Sequence, residues 1–89
     1  MAKMVITHKV ENVEKWLKGK VERAEAIARI GGKNVVDHVA TDGSNNVAIT
    51  ADVDDPAAAQ AALASPTPEM TAAMASHGVV PPLTAHIEK

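Results

Sequence analysis

The sequence predicts an α+β fold with the element order βαββαβ. Some segments alternate apolar and polar residues, which is the period of a β-strand, and others repeat apolar residues every three or four positions, which is the period of a helix. Clusters of Gly, Pro, Asn and Asp lie between these segments and indicate turns. Because a chain of this length is enough for one domain, we expect residues 1–89 to form one domain.

The first strand and the first helix follow each other closely. Residues 4–10 alternate between apolar and mostly polar positions, which predicts a strand. Asn12 is suited to cap the helix that follows, and Gly31-Gly32 is suited to end it. Apolar residues at helical spacing predict one helix between these signals: Val13, Trp16, Leu17, Val21, Ala24, Ile27 and Ala28.

A hairpin is predicted next. Residues 34–40 and 46–53 are rich in β-branched residues, as strands are. Between them, residues 41–45 read Thr-Asp-Gly-Ser-Asn, and these residue types tolerate the left-handed or side-chain-bonded conformations of turns. The two segments are therefore expected to pair as neighbouring antiparallel strands.

The second helical region is predicted to be broken in two. Asp55-Pro56 provides a cap and a first-turn proline, and the alanine-rich residues 57–64 have high helix propensity. Ser65-Pro66 ends this piece, Thr67-Pro68 begins a second one, and Gly78 ends that. Two short helices are therefore expected before the last strand.

The last strand is predicted to follow an extended Pro81-Pro82 connection, because Leu83, Ala85 and Ile87 alternate with polar residues. The complete order is that of the ferredoxin-like fold, whose four antiparallel strands lie in the order 4-1-3-2 with the helices on one face. The other face of the sheet is then uncovered.

The uncovered face predicts a homodimer. The first strand is apolar or neutral on both faces apart from Lys9, and the second offers Val36 and Ala40 on one face and Val35 and Val39 on the other. Burial of apolar surface contributes about 25 cal/mol per Å². We therefore expect a second copy of the chain to cover this face.

Composition excludes several classes of protein. The chain has no cysteine and its one aromatic residue is Trp16, so we expect an aliphatic core without disulfides. Its formal charge is −2 and it has no basic stripe, so binding to nucleic acid is not predicted. The sequence shows neither a leader pattern nor an apolar stretch long enough for a membrane span, so we expect a cytoplasmic protein that does not bind membranes.

Two stretches of the chain resemble a known family. Residues 8–16 read His-Lys-Val-Glu-Asn-Val-Glu-Lys-Trp and are similar to that family's passage from the first strand into the first helix. Residues 64–82 resemble its short second helix and its proline-led start of the last strand. The family is the dimeric α+β barrel superfamily, in particular small proteins like the antibiotic biosynthesis monooxygenases. The resemblance implies a homodimer in which the two sheets face each other, with a pocket between each sheet and its helices.

The resemblance implies a range of activities. Members of the superfamily include cofactor-free oxygenases, haem-degrading enzymes, lactone isomerases and proteins without an assigned activity. In the oxygenase branches, an Asn late in the first strand and a Trp in the second helical region commonly shape the pocket. Here His8 takes the position most like that Asn, and the second helical region has no aromatic residue.

Four histidines are the residues best suited to acid–base chemistry: His8, His38, His77 and His86. His8 and His86 are expected on neighbouring strands, where they meet if the registers agree. No HxH, HxxxH or HExxH spacing occurs, so we predict neither a metal site nor a cofactor. His38 and His86 are better explained as hydrogen-bonded or solvent-exposed rings.

The candidate ligand-binding residues are His8, Trp16, Met70, Met74 and His77, and the candidate catalytic bases are His8 and His77. His8 shares a face with apolar residues, so it is either a satisfied core histidine or part of a pocket. Core packing is the alternative for the helix face that carries Met70, Met74 and His77. Anchoring of the first helix to the sheet is the alternative for Trp16.

Three functional hypotheses follow. The first is a homodimeric domain that binds a small molecule and has no assigned activity. The second is a cofactor-free monooxygenase or isomerase acting on a small hydrophobic substrate. The third is a non-catalytic structural or stress-associated dimer. A cavity of a few hundred Å³ that reaches His8 is expected for the first two, and a solid core for the third.

Overall fold

Both helical regions of the predicted βαββαβ order are divided into two helices in the computed structural model, which describes residues 2–89. The elements are β1 (Ala2–Val10), α1 (Val13–Lys18), α2 (Lys20–Arg29), β2 (Gly32–Val39), β3 (Asn46–Val53), α3 (Pro56–Ala64), α4 (Pro68–Ser76) and β4 (Val79–Ile87). Within the described part of the chain, no helix is both long and apolar enough to cross a membrane.

The four strands form one antiparallel sheet in the order β2-β3-β1-β4, which is the predicted order 4-1-3-2 read in reverse. Burial alternates along β1 and β3, so one face of the sheet packs under the helices. Met4 illustrates the register, since it lies opposite Ala51 on β3 and Ile87 on β4. The predicted α+β fold is therefore confirmed.

The core lies between this face and the helices and is aliphatic apart from Trp16, as the composition predicts. Its buried residues are Met4, Ile6, Val10, Trp16, Ile27, Val47, Ile49, Ala51, Val53 and Ala59. Three predicted caps hold the helix ends: the side-chain oxygens of Asn12, Asp55 and Thr67 accept hydrogen bonds from backbone N–H groups three residues further on.

The single helix predicted between Asn12 and Gly31 is wrong in one respect, because Gly19 interrupts it. A Cβ atom at Gly19 would lie 2.6 Å from the imidazole of His77. This approach is closer than side-chain atoms pack, so any larger residue at the turn from α1 into α2 would require the His77 ring to move. The break brings the end of α4 against the start of α2.

The last strand is longer than predicted. β4 begins at Val79 and includes Pro81-Pro82, which was expected to be a connection before the strand. β4 lies at the edge of the sheet and pairs with β1 alone, and an edge strand tolerates residues that lack a backbone N–H. The register with β1 shifts between Thr7 and Lys9, close to His8.

The strand β2 begins at Gly32 and ends at Val39, whereas residues 34–40 were predicted. Its register with β3 shifts between Lys33 and Val36, and Asn34 within this shift has a φ of 54°. Asparagine is among the few non-glycine residues that adopt this left-handed conformation readily. Because of this irregularity, apolar and polar residues do not alternate strictly at the start of β2, and the sequence pattern did not mark where the strand begins.

Candidate functional site

A cavity of about 70 Å³ lies between the sheet and the helices. All five candidate ligand-binding residues contribute to its wall: His8, Trp16, Met70, Met74 and His77. The rest of the wall is formed by Ile6, Glu22, Arg23, Ala26, Ile27, Ile49, Leu63, Ala73, Val79 and Leu83. The cavity is smaller than the few hundred Å³ expected for a preformed ligand site.

Trp16 is fixed between two polar side chains. It is fully buried, and the imidazole of His8 meets its ring edge-on with the ring centroids 5.9 Å apart. The guanidinium carbon of Arg23 lies 3.9 Å from the centre of the Trp16 ring, at the distance of a cation–π contact. Trp16 therefore does more than anchor α1, because its ring also forms one wall of the cavity.

Arg23 is held on this wall by a buried ion pair with Asp37 of β2. The Nε and Nη2 atoms of Arg23 donate to the two carboxylate oxygens at 3.0 and 2.9 Å, and Nη2 also donates to the backbone oxygen of Trp16 at 3.0 Å. The side chains of Arg23 and Asp37 are 8% and 2% exposed. A buried charge of this kind requires a partner of opposite charge, and Arg23 and Asp37 are partners of each other.

The sequence did contain a signal for this ion pair. Arg23 lies on the same helix stripe as Ile27, and Asp37 lies between Val35 and Val39 in the alternation of β2. A basic and an acidic residue thus occupy positions that face the core, where apolar residues are usual. Neither residue was among the predicted site residues.

Two residues that line the cavity each have a buried nitrogen donor without a hydrogen-bond partner within residues 2–89: Nε1 of Trp16 and Nη1 of Arg23. Both belong to residues that are almost completely buried. Leaving a buried donor unpaired costs about 1–3 kcal/mol, so native proteins rarely do it. These two donors are the chemical feature that distinguishes the cavity from ordinary packing.

His8 is a neutral side chain in this site. Its pKa is lowered from 6.5 mainly by burial, with a smaller contribution from the positive charge of Arg23, against the opposing effect of the Lys9 carbonyl. Nδ1 of His8 lies 2.9 Å from that carbonyl oxygen, which only accepts, so Nδ1 carries the hydrogen. Nε2 is then left with a free lone pair, which is the state that a general base requires.

The side of the cavity formed by α4 is the least firmly packed. Met70, Met74 and His77 are all only partly buried, and none of the nine residues Pro68–Ser76 is buried. The imidazole of His77 lies against Gly19. The opposite wall includes the buried residues Ile6, Trp16, Ile27 and Ile49, so α4 is the wall that can move at the least cost.

The remaining histidines lie away from the cavity. His38 is exposed, and its Nε2 lies 3.1 Å from the Oγ1 of Thr50. His86 is exposed and lies opposite Val5, so it points to the other face of the sheet from His8. The strand registers therefore do not bring His8 and His86 together. Residues 2–89 contain no group of three or more His, Asp or Glu side chains placed to hold a metal ion.

Solved structures of antibiotic biosynthesis monooxygenase-like proteins have the same fold as this chain. SnoaB, a cofactor-independent oxygenase from Streptomyces nogalater, matches with a TM-score of 0.66 and 16% identity over 99% of this chain and 90% of its own. A candidate antibiotic biosynthesis monooxygenase from Bordetella bronchiseptica matches with a TM-score of 0.70 and 10% identity over 99% of this chain and 94% of its own.

A third structure, of an antibiotic biosynthesis monooxygenase, gives a TM-score of 0.66 and 13% identity over 100% of this chain and 97% of its own. No family model matches the sequence, and no curated protein matches it. The resemblance seen in the sequence is thus confirmed, and at these identities it establishes the fold.

Proposed function

We propose that this chain is a small-molecule-binding domain that forms a homodimer, and that the cavity beside Trp16 is its ligand site. The observation that carries the proposal is the pair of unpartnered donors, Trp16 Nε1 and Arg23 Nη1, in two residues that line one cavity. A ligand that accepts hydrogen bonds from them removes the cost of leaving them unpaired.

The size of the cavity defines how the ligand binds. About 70 Å³ is half of the roughly 150 Å³ that binds benzene in an engineered apolar cavity, so the cavity as observed accepts a group of about three heavy atoms. A larger ligand requires α4 to move outwards. Met70 and Met74 suit such a wall because unbranched, flexible side chains adapt to different shapes.

Ligand binding can be tested with the fluorescence of Trp16, because the chain has one tryptophan and it lies in the site. A panel of small hydrophobic compounds is titrated against the protein and against Ala73→Leu, which fills the cavity with a larger side chain. Ala72→Leu is the matched control, because Ala72 is exposed on the same helix and does not line the cavity.

We expect compounds that change the fluorescence of the wild type to bind Ala72→Leu with the same affinity. Their affinity for Ala73→Leu is expected to be at least tenfold lower. If Ala73→Leu binds the same compounds as tightly as the wild type, the ligand site lies elsewhere. If no compound in the panel binds, the third hypothesis, a structural dimer with a filled core, is the better one.

The homodimer is supported by the open face of the sheet, which is the face turned away from the helices. Val36 and Val80 are 49% and 37% exposed there. This face also contains a depression of about 650 Å³, which a second copy would cover. Sedimentation velocity at micromolar concentration tests the proposal. A dimer is expected, and a folded monomer would contradict it.

Catalysis by His8 is a second candidate function, supported by the free lone pair on its Nε2. In a cofactor-free oxygenase or isomerase, this nitrogen would remove a proton from a substrate in the cavity. For a compound that binds, His8→Ala is expected to abolish turnover and to change affinity little. Because the pKa of His8 is lowered, activity should persist below pH 6.5 and fall only at lower pH.

A further inference from the structure

We propose that the ligand carries an uncharged carbonyl group, bound by Trp16 Nε1 and Arg23 Nη1, and an apolar tail that lies in the groove between α4 and β4. This inference rests on the proposed function and names the chemical class of the ligand. It depends on three features of the wall: the type of its free polar groups, its charge, and the groove beyond it.

The two buried polar atoms without a hydrogen-bond partner among the lining residues are both donors. Trp16 Nε1 and Arg23 Nη1 both carry hydrogen and neither can accept. The two side chains are in contact, because the guanidinium carbon is 3.9 Å from the centre of the indole ring. A carbonyl oxygen has two lone pairs and can accept two hydrogen bonds. The matching group on the ligand is therefore an acceptor.

The charge of the wall favours an uncharged acceptor. The positive charge of Arg23 is already neutralised by Asp37, at 2.9 Å and 3.0 Å. The lowered pKa of His8 disfavours its charged form, and Glu22 on the wall is acidic. A carboxylate would therefore bring a negative charge into a site whose only Arg or Lys side chain is already paired.

The tail follows from the space beyond the cavity. A groove of about 380 Å³ runs along α4 and β4 and shares four apolar residues with the cavity wall. They are Leu63, Met74, Val79 and Leu83. Pro66, Ala75 and Pro81 extend the groove with more apolar surface. A ligand whose head fills the small cavity continues past Met74 into a space that suits hydrocarbon.

The test uses three probes of one shape on ¹⁵N-labelled protein. They are 2-octanone, its charged isostere heptanoate, and the apolar isostere 2-methyl-1-octene. The single tryptophan gives one indole N–H resonance, which reports directly on the proposed hydrogen bond. We expect 2-octanone to move this resonance downfield and to bind at least tenfold more tightly than either isostere.

Equal or tighter binding of heptanoate or of 2-methyl-1-octene would overturn the carbonyl assignment and leave small-molecule binding at the site standing. If none of the three probes binds while other compounds change the Trp16 fluorescence, the ligand class proposed here is also wrong. If neither the probes nor the compound panel bind, both this inference and the proposed function fail.

Two variants separate the head from the tail. Trp16→Phe removes one donor and is expected to lower the affinity for 2-octanone at least fivefold, as followed through the methionine methyl resonances. Ala75→Leu narrows the groove and is expected to lower the affinity for 2-octanone but not for acetone, which has no tail. Ala72→Leu, outside both spaces, is the control. Equal effects of Ala75→Leu on both ketones would contradict the assignment of the groove.

Discussion

At the scale of single residues, the site is defined by polar groups that the core cannot pair completely. Arg23 uses three of its hydrogen bonds on Asp37 and on the Trp16 carbonyl, and keeps one nitrogen free. A buried ion pair is weak evidence for stability, since a protein with apolar residues of similar volume in its place is often equally stable. Its place beside the cavity is the reason that we include Arg23 in the proposed ligand site.

Breaking the ion pair on one side should destabilise the protein strongly. Asp37→Ala leaves the Arg23 charge buried without a partner, and we expect a loss of about 3–5 kcal/mol in the free energy of unfolding. The double variant Arg23→Met with Asp37→Leu removes both charges and should recover most of this loss. Urea denaturation measures all three proteins. A double variant as unstable as Asp37→Ala would contradict this explanation.

Stability should also depend on pH through His8. The unfolded chain has the ordinary pKa of 6.5, and burial lowers the pKa in the folded protein. Between these two values only the unfolded chain binds the proton, so the free energy of unfolding falls as the pH falls through 6.5 and is level above it. His8→Asn should reduce this slope. An unchanged slope in chemical denaturation between pH 5 and 8 would show that His8 is not its source.

At the scale of elements, the break between α1 and α2 is the feature that joins distant parts of the chain. Gly19 has a φ of −87°, which alanine also adopts, so its backbone conformation does not require glycine. The requirement is the space taken by the His77 ring. The end of α4 is thereby positioned by a residue at the start of α2.

Gly19→Ala is therefore expected to destabilise the protein through His77. The added methyl group forces the ring to move, at a cost of about 1–3 kcal/mol typical of overpacking. In a His77→Ala background the same change should cost much less, since the ring that the methyl group would meet is absent. Thermal denaturation of the four proteins gives the coupling energy. Equal effects of Gly19→Ala in both backgrounds would rule out the contact as the cause.

The sequence predicted the features that depend on local spacing. Met70, Met74 and His77 share a wall because their spacing of four and three residues places them on one helix face. The pairing of Arg23 with Asp37 was not predicted, because it joins a helix to a strand and depends on their relative position. The break at Gly19 was not predicted, because a single glycine within a helical pattern is often tolerated.

At the scale of the whole molecule, the two faces of the sheet differ in how completely they are covered. The helix face buries its apolar residues, with Met4, Ala51 and Val53 completely inaccessible. The open face has apolar and neutral residues in its middle, and Lys3 pairs with Asp52 at one end at 2.8 Å. A chain of this size has a small core, so burying a second face would add substantially to its stability.

The open face gives a direct test of the homodimer. Val36→Asp places a carboxylate on this face in each copy, and both would be buried without partners in a symmetric dimer. Since about 1.4 kcal/mol is a factor of ten, we expect the dissociation constant to rise at least 100-fold. Val21→Asp is the matched control, because Val21 is 68% exposed on α2 and lies on the other side of the molecule. Sedimentation equilibrium measures both variants. Loss of the dimer in Val21→Asp but not in Val36→Asp would move the interface to the helices.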